Sequence, residues 1–278
     1  MSNTTVWYIT GASKGMGLSL TKQLLAKGQR VAATSRSIGA FDGIKGYEDN
    51  FLPLEVDLQS EQSITASIAK TVEKFGQLDV VINNAGYGLG GALEELTSAE
   101  IETNFQVNFF AVVHVIQQAL PFMRKQRSGH IINISSITGF APGTGWTVYS
   151  AAKFAVSGLS AALTNELKPL GIHVTNVMPG QFRTNFAKAD SIAYNKHQIE
   201  DYAYLGEYHE KINSVDGIQL GNPDKMADIF LKLVASPNPA TDLFLGSDAY
   251  HRANTRITQL QTQMDTWKED TFATDFAE

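Results

Sequence analysis

The sequence predicts an α/β fold, a parallel sheet covered by helices, and three observations predict it. Short apolar runs alternate with longer stretches of helical periodicity. The runs are apolar on both faces, as strands are when helices cover a sheet from either side. A glycine-rich turn joins the first run to the first helical stretch. With 278 residues and 43% apolar content, the chain is long enough to bury one large core. It shows no repeat and no low-complexity linker, so residues 1–278 are expected to form one domain.

The first strand is expected at Val6–Ile9, followed by the glycine turn and a helix over Met16–Ala26. Strands at Val31–Thr34 and Phe51–Val56 precede a helix over Glu61–Phe75. A strand at Val80–Ile82 leads to a long helix over Ala99–Arg127, then a strand at His130–Ile134. A helix over Val148–Leu167 and a strand at His173–Val177 follow. The pattern breaks after Pro179-Gly180: residues 181–221 are polar and aromatic with little periodicity, as in a functional or mobile loop. Asn222-Pro223-Asp224 reads as a helix start, with a capping side chain, proline at the first helical position and an acid in the first turn. Leu243–Leu245 is the last strand, and Ala249–Trp267 is the last helix.

Composition excludes several classes of function. Without cysteine there is no disulfide, thiolate nucleophile or zinc–thiolate site. A formal charge of −6 without a basic cluster argues against nucleic acid as a partner. No apolar run approaches a membrane span, and the N-terminus lacks the pattern of a signal peptide, so a soluble cytoplasmic protein is expected. His197, Glu200, His209 and Glu210 fall in the polar segment without a recognised ligand spacing, and no metal is expected.

Two motifs carry chemistry. In Thr10-Gly11-Ala12-Ser13-Lys14-Gly15-Met16-Gly17, the glycines allow a tight turn and close approach of a pyrophosphate. The N–H groups and dipole of the next helix favour an anion there. Tyr149 and Lys153 are four apart, so on a helix they share a face. A free phenol has a pKa of about 10, too high for proton exchange near neutrality. A fixed cation beside it favours the phenolate, and Lys153 is expected to lower the pKa of Tyr149 in this way. Such pairs are also common on ordinary amphipathic helices, and the rest of the chain must decide.

The glycine spacing, Asn83-Asn84-Ala85-Gly86, Ser136 and Tyr149-x-x-x-Lys153 together closely resemble the classical short-chain dehydrogenase/reductase family. The resemblance covers about residues 5–185 with the principal motifs in order, and extends more loosely to about residue 250. It implies a Rossmann-type, doubly wound single domain with a seven-stranded parallel sheet. It also implies four catalytic residues. Tyr149 is the general acid in carbonyl reduction and the base in alcohol oxidation, and Lys153 tunes it and bonds the nicotinamide ribose. Ser136 polarises the substrate carbonyl, with Ser135 as the fallback. Asn108 supports a water relay behind the lysine, although an asparagine inside a helix can simply bond the backbone.

The cofactor implied is NADP(H). Gly11, Ser13, Lys14, Gly15, Met16 and Gly17 would hold its pyrophosphate. NAD enzymes place an acid after the second strand, whereas this chain has Ser35-Arg36. Arg36 and Lys14 suit a 2′-phosphate that a carboxylate would repel. By the same resemblance, Asp57 and Leu58 meet the adenine, and Asn84, Ala85 and Gly86 line the ribose. Pro179, Gly180 and Thr184 meet the carboxamide, while Asn83 can also simply tie strands together.

The lid over residues 181–221 is expected to roof the substrate, with Tyr87, Phe140, Trp146, Phe182, Phe186 and Tyr194 as candidate walls. None is charged, which suggests an uncharged ketone, aldehyde or secondary alcohol. The likeness is greatest near bacterial carbonyl reductases and hydroxysteroid-dehydrogenase-like members. Hydroxysteroid or other alcohol oxidation, a non-catalytic NADP sensor and an epimerase or dehydratase of the extended branch are the other readings. A homodimer or homotetramer is expected by resemblance, through the two long helices.

Overall fold

The computed structural model describes residues 4–184, 186 and 191–276, with the backbone alone at 212 and 213. Seven parallel strands form the sheet: β1 (Val6–Ile9), β2 (Arg30–Ser35), β3 (Phe51–Glu55), β4 (Val80–Asn83), β6 (Gly129–Ile134), β7 (Ile172–Pro179) and β9 (Asp242–Leu245). Their spatial order is β3-β2-β1-β4-β6-β7-β9. The chain therefore starts in the middle, winds to one edge, then crosses to build the other half. The crevice between the carboxyl ends of β1 and β4 is where such a sheet accepts a ligand.

Period-two alternation sends neighbouring strand residues to opposite faces. Val6 and Tyr8 join the core under α2 (Glu61–Phe75), α4 (Ala111–Gln126) and α5 (Thr147–Leu167). Trp7 and Ile9 join the core under α1 (Gly15–Ala26) and α7 (Met226–Ala235). Both faces are covered, which explains why the strands read as continuous apolar runs. A row of polar residues crosses the sheet in register, Asn83 beside Asn133, Asn176 and Asp242. Asn83 Nδ2 donates to Asn133 Oδ1 at 2.8 Å, and Asn176 Nδ2 donates to Asp242 Oδ1 at 3.0 Å. A slipped register would break the buried Asn83–Asn133 bond, so the row helps fix strand alignment.

Strand ends differ from the sequence expectation by a residue or two, the usual latitude of element boundaries. Three larger differences carry information. The expected single helix over 99–127 is α3 (Ser98–Phe105), a π-helical turn at Gln106–Phe110, and α4. Thr97 and Glu100 close a capping box at its start, each satisfying the other's backbone N–H. The region over 181–221 is not only loop. It contains β8 (Ile192–Tyr194), which pairs with β5 (Gly88–Gly90), and α6 (Leu205–Asn213). Residues 185 and 187–190 of that lid lie outside the described ones. The last helix, α8, runs over Ser247–Thr266, with α9 (Lys268–Phe272) behind it. No helix among the described residues is long and apolar enough to cross a membrane.

Candidate active site

Thr10 ends β1 and organises the crevice, a role the sequence reading missed. Its Oγ1 accepts hydrogen bonds from the backbone N–H groups of Asn84 and Ala85, both at 3.0 Å. Asn84 Nδ2 reaches back to the carbonyls of Thr10 and Gly11 at 2.9 and 3.0 Å. The glycine loop and the segment after β4 are thus clamped together. The fit is close: a Cβ on Gly11 would stand 2.7 Å from Ala85 Cα, and one on Gly17 would stand 2.6 Å from the Gly11 oxygen.

Gly15, with φ +56°, opens α1. No side chain caps that helix, and no acid sits in its first turn. Its first N–H groups carry the positive end of the helix dipole, a setting that favours an anion. Thr184 stands over the same turn, with its Cβ 3.6 Å from the Cβ position of Gly15. Ser13, Lys14 and Met16 are partly exposed along the loop. At the end of β2, Ser35 is buried and its Oγ accepts from Ser37 N at 3.3 Å, while Arg36 is exposed. Asp57 is exposed beyond β3, accepting from Gln59 N at 2.9 Å, and Leu58 packs partly against the core. Pro179 and Gly180 end β7, where Gly180 N donates to Leu245 O at 2.8 Å. A bare glycine turn, an uncapped helix N-terminus and an exposed arginine in place of an acid make a cradle suited to a dinucleotide diphosphate with an additional phosphate.

The candidate catalytic groups lie on α5 and just after β6. Tyr149 and Lys153 sit one turn apart on α5, both buried. Ser136 follows β6, and it shares a hydrogen bond with the phenol. Its Oγ also accepts from Thr138 N at 3.1 Å. Ser135 points elsewhere: its Oγ donates to Lys153 O at 2.9 Å and lies 3.0 Å from Ser157 Oγ. Between the two serines, geometry places Ser136 at the tyrosine and makes Ser135 a brace for α5.

Asn108 lies in the π-helical turn and is fully buried. Its Nδ2 donates to Tyr87 O at 3.0 Å and Asn104 O at 3.1 Å, and its Oδ1 accepts from Tyr87 N at 3.2 Å. Here the asparagine does bond the backbone, tying the segment after β4 to the helix. The π turn, a local rarity found mostly at functional sites, aims it inward. Gly86 completes the contact: a Cβ there would stand 2.5 Å from Asn108 Oδ1 and 3.3 Å from Lys153 Nζ.

The electrostatic balance differs from the expectation of a depressed phenol. Burial pushes Tyr149 up to about 12, with the Ser136 hydrogen bond opposing the rise. Burial also pulls Lys153 down to about 8. Desolvation wins because Lys153 Nζ lies 5.8 Å from the tyrosine ring centroid and donates its hydrogen bond to Ile134 O at 2.9 Å. The Tyr149 phenol is therefore neutral at physiological pH.

Four aromatic rings gather around the tyrosine. Trp146 and Phe186 lie 6.1 and 6.2 Å from it, centroid to centroid. Tyr194 packs tilted and His209 edge-on against Trp146, at 6.2 and 5.6 Å. His209, on α6, was not a wall candidate in the sequence because nothing local ties it to residue 146. Its Nε2 lies 3.2 Å from Gly145 O. Phe140 is a correction: it turns away to pack on Phe244 at 5.3 Å, beside Ile137 and the start of α8. Phe182 also leaves the cluster, packing on the core near Gly221 and Gly246. Tyr87 is partly buried beside Asn104, and burial raises its pKa.

A family model described as short chain dehydrogenase matches residues 5–195. The chain is 39% identical over 231 residues to a 3-ketodihydrosphingosine reductase of Bacteroides thetaiotaomicron, covering 83% of this chain and 84% of that one. A solved short-chain dehydrogenase of Streptomyces avermitilis superposes with TM-score 0.92 at 31% identity, over 99% of this chain and 100% of that one. The solved structure of ElxO with NADP bound aligns at TM-score 0.71 and 28% identity, over 87% of this chain and 97% of that one.

Proposed function

Because the chain belongs to the short chain dehydrogenase family of oxidoreductases, we propose that it is an NADP(H)-dependent enzyme that reduces an uncharged ketone or aldehyde. The observation that carries this reading is the buried Tyr149–Lys153 pair with Ser136, in a chain whose glycine turn opens a helix without a side-chain cap. When bound, the nicotinamide supplies the hydride. The residues of this chain supply position and a proton. Ser136 donates to the carbonyl oxygen, where negative charge develops. Tyr149, neutral across the physiological range, gives that oxygen its proton. Lys153, held by Ile134 O, keeps a positive charge close to the forming phenolate. The high phenol pKa keeps Tyr149 protonated at neutral pH, the state from which carbonyl reduction starts. Direct assay of NADPH oxidation against a panel of ketones and aldehydes tests this reading, and oxidation of secondary alcohols alone would reverse the direction.

NADP(H) preference is supported by Arg36 and by the NADP carried by the ElxO structure. Arg36→Glu is expected to weaken NADPH binding by on the order of 10²-fold, because it removes a charge-assisted bond and adds repulsion, and to affect NADH far less. Fluorescence titration reads both constants, and unchanged NADPH affinity would remove Arg36 from the site.

The rings about Tyr149 suit a flat or extended apolar substituent on the substrate. Tyr194→Ala is expected to raise KM for a bulky ketone about 10-fold, whereas Phe140→Ala, facing another cluster, leaves it within about twofold. Steady-state kinetics on one aromatic ketone distinguishes them. The reductase named for 3-ketodihydrosphingosine among the relatives is in keeping with an apolar substrate. The exposed rings of Phe110 on the π turn and Phe154 on α5 support a homo-oligomer through the long helices.

A further inference from the structure

The last helix leaves the body of the molecule while still carrying an apolar seam. At its start, Ala249 and Ala253 pack under Ile137 and Ala141. From Ile257 to Phe276 every residue is exposed. Ile257, Leu260, Met264 and Trp267 follow one another at spacings of three, four and three, the a/d pattern of a helix that packs on another helix. Ile257 is 51% exposed, Met264 67% and Trp267 63%. Ten residues of unsupported helix are marginal in water, so this stretch needs a cover.

We propose that the cover is the same stretch of a second copy of this chain, packed antiparallel about a dyad beside Thr262. In that register Ile257 meets the partner's Trp267 and Leu260 meets the partner's Met264, each contact occurring twice by symmetry. The flanking positions agree with it. Gln261 and Gln263 fall opposite their own copies near the dyad, uncharged and able to hydrogen-bond. The helix breaks at Trp267, and the short α9 beyond it carries Glu269 and Asp270. In the antiparallel arrangement Arg256 of each copy lies towards the partner's acidic α9, again twice. Antiparallel helices also place opposite dipole ends together. A membrane surface fits less well: beyond Ile257 the seam is bordered by Lys268 against Asp265, Glu269, Asp270 and Asp275, and anionic lipid would repel it. This interface is separate from the face formed by the long helices and does not depend on the proposed reaction.

The absence of native cysteine makes a clean test possible. Leu260→Cys and Met264→Cys chains, purified separately, are mixed at about 100 μM and oxidised under mild conditions, with product masses read by mass spectrometry. The expected result is a Leu260→Cys/Met264→Cys heterodimer exceeding either homodimer at least fivefold. Predominant homodimers, or no cross-link, would overturn the register. In parallel, Ile257→Asp/Met264→Asp should halve the assembly mass of the full chain in light scattering while leaving its circular dichroism unchanged. Equal masses overturn the proposal. Equal masses with wild-type chain floating on phosphatidylcholine vesicles would assign the seam to a lipid surface instead and also overturn it.

Discussion

Tyr149→Phe is expected to lower kcat for NADPH-dependent carbonyl reduction by about 10³-fold while leaving NADPH affinity within about twofold. The phenol is the group proposed to give up its proton in the reaction, and burial, which raises its pKa, keeps it protonated at neutral pH. Burial also keeps bulk water from standing in for it. Phenylalanine preserves the ring, so the contacts with Trp146 and Phe186 that shape the pocket survive. A loss in kcat without a matching change in NADPH binding identifies an interaction made in the transition state. Turnover retained by the variant would place the acid elsewhere and end the mechanism proposed here.

Lys153→Met is expected to act in opposite directions on activity and stability. Turnover should fall by on the order of 10²-fold or more, because the forming phenolate loses its nearby positive charge. The folded protein should become about 2 kcal/mol more stable. The ammonium titrates at about 8 in the fold against 10.5 in an exposed lysine, which corresponds to about 3 kcal/mol of burial penalty. Losing the hydrogen bond to Ile134 O takes back about 1 kcal/mol. The sign fixes the pH window. Below about 8 both folded and unfolded chains carry the charge, and the penalty is fully present. From about 8 to 10.5 the unfolded chain holds a proton that the folded chain has released, so wild-type stability rises with pH, and the advantage of the variant shrinks. Wild-type carbonyl reduction should decline through the same pH 8 region as the ammonium is lost. Chemical denaturation of both proteins at pH 7 and pH 9.5, beside a pH–rate profile, checks all three statements. A methionine variant less stable than wild type at pH 7 would show that Lys153 is held by attraction rather than penalised by burial.

Much of the fold was legible because its signals are local. Runs such as Val6–Ile9 and Val80–Ile82 are apolar on both faces because helices cover both, and glycine spacing records a turn where backbone must come close. The shared face of Tyr149 and Lys153 was legible for the same reason, since a helix fixes residues four apart, while Ser136 was chosen over Ser135 by resemblance to the family motif. What escaped depended on contacts distant in sequence. Thr10 clamps a segment some seventy residues away through its hydroxyl. The three-residue strands β5 and β8 exist through pairing with each other, and neither has a pattern long enough to announce itself. Phe140 and Phe182 read as pocket walls, yet packing turned both away, because composition does not say which way a ring faces. His209 reached the pocket only when α6 folded over it.

Periodicity and short-range spacing determined the helix-covered parallel sheet, the glycine turn and the shared face of Tyr149 and Lys153, whereas the doubly wound topology and the choice of Ser136 and Asn108 followed from the family that the motifs resemble. Tertiary structure alone decided which rings gather about the tyrosine and how the titrating pair is poised. Those depend on burial: the same tyrosine and lysine, exposed on a helix, would titrate near 10 and 10.5, and only desolvation by the assembled core moves them to about 12 and about 8.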